Sequence, residues 1–137
     1  GAGGPGFGFA GPALEAAAQL RAANRAYRTS TLVGDATRAA TEAGYSYRAL
    51  DPVSLCGEGG PSVIHELVGE FGTILPQLGD FLEAREAYLQ GDFRAAARMF
   101  AAILERNPHD GPSQLFMRRS MHLAENPPQG GWSGVWR

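Results

Sequence analysis

The residues of this chain that could do chemistry are few, and their spacing keeps them apart. His65, His109 and His122 each stand without a Cys, Asp or Glu at ligand spacing, so they read as surface or strand histidines rather than as a metal set. Cys56 has no second cysteine beside it and no helix start to favour a thiolate, and it reads as unreactive. Glu83, Arg85 and Glu86 fall where a solvated helix face is expected. Gly6-x-Gly8-x-x-Gly11 has the form of a dinucleotide-binding turn, with an apolar Thr31-Leu32-Val33 and then Asp35 further on. That chemistry requires a strand before the glycines, so that turn and helix amides converge on a pyrophosphate, and the chain supplies none there. No cofactor and no metal are expected from these residues.

Aromatic and sulfur-bearing side chains are the stronger candidates. Trp132 and Trp136 lie in a glycine-flanked tail, and large aromatics dominate interface energetics. Two readings are open: they meet a partner, or they fold back over the helices before them. Phe116, Met117 and Met121, with Leu115, recur at helical spacing and mark either core packing or a partner surface.

The elements that must position these residues follow from composition and pattern. The chain has 137 residues and a net charge of -2, enough for one ordinary domain or two small ones. All its basic residues are Arg, spread evenly, so no basic face points to nucleic acid. Its apolar runs fall well short of the roughly 20 residues a membrane helix needs, and no basic-then-apolar start marks a signal peptide. A soluble, cytoplasmic protein is expected.

Residues 1–12 are a glycine-rich segment. From Pro12 the apolar spacing predicts a helix to about Tyr27, whose alanines suit close packing on a sheet. Ser30–Val33 reads as a strand, Asp35 as an N-cap, and Ala36–Ala43 as a helix ended by Gly44. Tyr45–Leu50 and Val63–Val68 read as a hairpin about the turn signals Gly57, Gly59, Gly60 and Pro61. Residues 13–69 are therefore an α+β unit, and 70–79 a linker with apolar anchors. Residues 80–126 are helical: Asp80 caps a helix to Gln90, Gly91-Asp92 turns, and helices follow over Phe93–Arg106 and Pro112–Glu125. Residues 127–137 form the tryptophan tail.

Two unrelated modules then appear in succession. Gly91, Asp92, Phe93, Ala96, Phe100, Ile103 and Pro108 have the spacing of a tetratricopeptide-type hairpin. One repeat is too few for a solenoid, so it must pack on something else. Followed by Asp110-Gly111-Pro112, Pro127-Pro128 and Trp132-x-Gly134-Val135-Trp136, it is similar to the tail after many bacterial class III adenylate/guanylate cyclase domains. The first half agrees. Leu14-Glu15-x-Ala17-x-Gln19-Leu20, with Asn24, Tyr27 and Thr29, resembles the family's late catalytic helix. Thr31 to Thr37 resembles its next strand and helix start. Tyr47-Arg48-x-Leu50-Asp51, then Pro61-x-x-Ile64-His65-Glu66-Leu67, resembles its closing hairpin.

The resemblance implies a truncated, ferredoxin-like derived α/β fragment followed by a helical hairpin and one more helix. It also implies degenerate chemistry. The family helix presents an Asn and, one turn later, an Arg that stabilises phosphate charge; here those positions hold Glu15 and Gln19. The two metal-binding aspartates of the family would lie before this chain, and two-metal chemistry needs them. The expectation is a non-catalytic, cyclase-derived accessory or scaffold subunit. Its partner, another protein subunit, would cover the sheet edge left open by the absent strands. The alternative is part of a nucleotide cyclase, converting ATP to cyclic AMP, whose metal-binding half is missing or on another chain.

Overall fold

A computed structural model describes residues 12–54 and 61–136; the glycine triplet, Cys56 and the glycines of the hairpin turn lie outside the described residues. Pro12, which lacks the N–H that a first helical turn leaves unpaired anyway, opens α1 (Pro12–Tyr27). Arg28 follows with φ 57 and turns the chain. The expected strand from Ser30 shrinks to β1 (Leu32–Val33).

Asp35 does not cap the next helix. Gly34 holds that position without a side-chain bond, and α2 (Asp35–Thr41) begins at Asp35 itself. The Asp35 carboxylate is used elsewhere: it accepts from the Val63 amide at 2.9 Å and lies 2.7 Å from His65 Nε2. It ties α2 to the sheet instead.

β2 (Tyr45–Ser54) and β3 (Pro61–Glu70) form the expected hairpin but run longer than their alternation indicates. The register shifts between Ala49 and Asp51, and this bulge carries the strand past Leu50. The three-stranded antiparallel sheet has the order β1-β3-β2. Leu32, Glu66 and Arg48 sit in one row across it, and Val33, His65 and Ala49 in the next. Neighbouring rows point to opposite faces, so the first row meets the C-terminal helices and the second meets α2.

The linker is only partly anchored. Phe71 is 74% and Ile74 86% exposed, while Leu75 and Leu78 are half-buried. Gln77, with φ 65, rather than Asp80, sets the start of α3 (Leu78–Leu89). Gly91, at φ 88, makes the turn into α4 (Phe93–Arg106), where the Asp92 carboxylate accepts from the Ala95 amide at 3.3 Å. Ala96 is fully buried, its small side chain allowing close approach between helices. α5 (Gly111–Glu125) is capped by Asp110, whose carboxylate accepts from the Ser113 amide.

A single core joins the sheet to these helices. Tyr27, Leu32, Leu50 and Ile64 from the first half pack with Phe81, Tyr88, Phe100 and Phe116 from the second. Phe116 is the hub. It stacks on Phe100 at 5.5 Å and meets Tyr88 edge-on at 4.9 Å. The architecture is α+β, with five helices and three strands among the described residues.

Candidate functional site

Two arginines cross from one half of the molecule to the other. Arg48 sits on β2, 4% exposed, over the Phe81 ring at 4.5 Å. It donates to Glu66 from Nε at 2.8 Å and from Nη2 at 2.5 Å, and to Asp110 from Nη1 at 3.0 Å and Nη2 at 2.9 Å. Burial works against its charge, but the bonds to Asp110 and the charge of Glu66 outweigh burial and raise its pKa. Asp110 shows the complement: burial opposes its ionisation, yet Arg48 and Ser113 pull its pKa below the ordinary value. One guanidinium thereby pins both long strands to the start of α5.

Arg119, midway along α5, does the same deeper in. Its Nη1 donates to Asp51 Oδ2 at 2.7 Å, and the Tyr27 hydroxyl donates to the same oxygen. Burial and the Asp51 charge push the Tyr27 phenol far above its ordinary range. Burial pushes the nearby Tyr88 phenol up to about 12. Neither tyrosine is poised to ionise, and both arginines stay charged; the cluster suits holding and recognition rather than proton transfer. The polar set is incomplete, since Asp51 Oδ1, Arg119 Nε, Tyr88 OH and Ser120 Oγ are buried without a hydrogen-bond partner among the described residues.

Above this cluster α1 stands off the sheet. Its small Ala23 and Ala26, facing Val53 and Ile64, leave a cleft of about 370 Å³ with Tyr27, Asp51 and Arg119 in its wall. The alanine face expected to pack closely thus borders an opening. A second hollow of about 430 Å³, lined by Leu115, Arg118 and His122, shares Ala26, Arg119 and Trp136 with the first.

The residues marked by the sequence are scattered among these features. Glu15 is exposed on α1, while Gln19, one turn later, lines the cleft. Both tryptophans fold back. Trp132 Nε1 donates to the Tyr88 carbonyl at 2.9 Å, with the ring edge-on to Tyr88 and Phe93. Trp136 lies under Arg119 at 5.0 Å and beside His122 at 5.8 Å. Phe116 is fully buried, Met117 half-buried, and Met121 54% exposed. His65 is buried against Asp35 and edge-on to Tyr47. Among the described residues no three of His, Cys, Asp and Glu come together as metal ligands. None of their helices is long and apolar enough to cross a membrane.

The sheet edge is partly guarded. The Leu50 carbonyl accepts from Arg85 Nε at 2.7 Å, Pro52 has no N–H to offer, and the tail approaches Pro52 at Gly134. What stays uncovered lies at the open end of the hairpin. The Phe71 amide donates to the Gly44 carbonyl at 2.9 Å; Phe71 and, three residues on, Ile74 are largely exposed, and Tyr45, on the facing strand, is 45% exposed. No family model, no curated protein and no solved structure matches this chain.

Proposed function

We propose that this chain is an interaction module: a non-catalytic, cyclase-derived accessory or scaffold subunit that docks on another protein in the cytoplasm. The observation that carries the reading is the exposed trio Tyr45, Phe71 and Ile74. Large apolar side chains left exposed are candidates for contact sites, and aromatic anchors supply most of the binding energy of such sites. The trio continues from the hairpin end, so a partner seated there also reaches the first half of β2, where the guards at Leu50 and Pro52 do not extend. The commitment of Arg48 and Arg119 to carboxylates of their own chain supports a holding role for the charged residues.

The test is the double variant Phe71→Ser/Ile74→Ser. Both positions are exposed, so the thermal midpoint should stay near that of the parent. Association with the partner should weaken at least tenfold, as expected when two anchors are lost. Undiminished association would refute the reading. The rival, part of a nucleotide cyclase with its metal-binding half elsewhere, predicts cyclic nucleotide from Glu15→Asn/Gln19→Arg once a family metal-binding half is supplied. On the present reading none is formed.

A further inference from the structure

The two hollows that meet at Trp136 and Arg119 make one groove with two characters. One arm is apolar, with Leu20, Val53 and Ile64 in its walls. The other is basic: Arg118 and His122 lie one turn apart on α5, beside Trp136. Asp51 is the one carboxylate among the lining residues and is already paired with Arg119, so two arginines face one negative charge and the groove keeps a net positive charge. Behind the shared wall, Asp51 Oδ1 and Arg119 Nε are buried without hydrogen-bond partners among the described residues. An apolar slot of several hundred Å³ with a few convergent polar groups is the usual form of a small-ligand site.

We propose that this groove binds a small organic anion with an aromatic or aliphatic body. The anionic group faces Arg118 and the outer side of Arg119, where charge-assisted bonds recognise a carboxylate or sulfonate. The body lies against the Trp136 ring and enters the apolar arm between α1 and the sheet. Trp136 reports on the site directly. The chain has only one other tryptophan, Trp132, which lines neither hollow and whose indole N–H is engaged with the Tyr88 carbonyl.

The experiment titrates the full chain with 1-naphthoate and with 1-naphthamide, a neutral compound of nearly the same shape, following the two indole N–H signals by NMR. Naphthoate should shift the Trp136 signal saturably and leave that of Trp132 in place; the amide should bind at least tenfold more weakly. Arg118→Gln, at an exposed position that leaves the fold intact, should weaken naphthoate about tenfold through one lost charged hydrogen bond. Equal binding of the amide, an unmoved Trp136 signal, or an Arg118→Gln protein that binds like the parent would each overturn the proposal. It stands independently of the docking surface, since Phe71 and Ile74 line neither hollow.

Discussion

At the scale of single residues, the molecule is organised by charged groups placed where hydrophobic ones are the rule. Arg48 is buried between two carboxylates, and removing it strands both. Arg48→Met should cost about 3 kcal/mol in urea unfolding near neutral pH, the usual penalty for uncompensated buried charge. The pH dependence has a definite sign. Asp110 titrates below its ordinary 3.8 in the folded chain, so its contribution is full above that pH and is lost as pH falls through the native value. In Arg48→Met the stranded Asp110 carboxylate protonates more readily, so the deficit should shrink between about pH 7 and about pH 3. A deficit constant with pH would mean that Arg48 acts by packing alone. These residues were only half legible in the sequence. Arg48 stands inside a strand pattern and Asp51 one residue past its end, and Arg119 falls four residues after Leu115 and before Leu123, on the inward stripe of a helix. That stripe position was the available signal. The partners, 18 to 92 residues distant, follow from the fold and not from spacing.

Among the elements, helices with strong punctuation were readable and the remainder less so. Gly91-Asp92 and Pro108 bound α4, and the observed helix has the expected limits. Asp35 and Asp80 look like caps by residue type alone, yet one is diverted by His65 and the Val63 amide across the sheet, and the other lies inside the first turn of α3. The hairpin strands outran their pattern because a bulge at Leu50 renews the pairing. The linker residues Phe71 and Ile74 promised anchors, since an apolar residue between two units is normally buried. Gly111 is the sharpest constraint at this scale: a Cβ there would lie 1.9 Å from the Tyr27 carbonyl oxygen. Gly111→Ala must push α1 away from α5 and should cost about 2 kcal/mol, the range of an overpacked core. An unchanged unfolding midpoint would show that the two helices meet less tightly than described.

For the whole molecule, one core spans what the sequence divides into an α+β unit and a helical unit. The shared aromatics and the two bridging arginines make each half a floor for the other, which answers how a single helical hairpin can be stable. With the tail folded onto Tyr88 and Arg119 and the sheet edge guarded at Leu50 and Pro52, the most exposed large apolar side chains among the described residues are Phe71 and Ile74. Such exposure is costly unless something covers it. The most direct measurement is therefore the native mass of the protein drawn from its own cells, for the parent and for Phe71→Ser/Ile74→Ser. The account predicts a stoichiometric complex for the parent that falls to the mass of the lone chain in the variant. A parent that flies alone as a monomer, or a complex indifferent to the two substitutions, would contradict it.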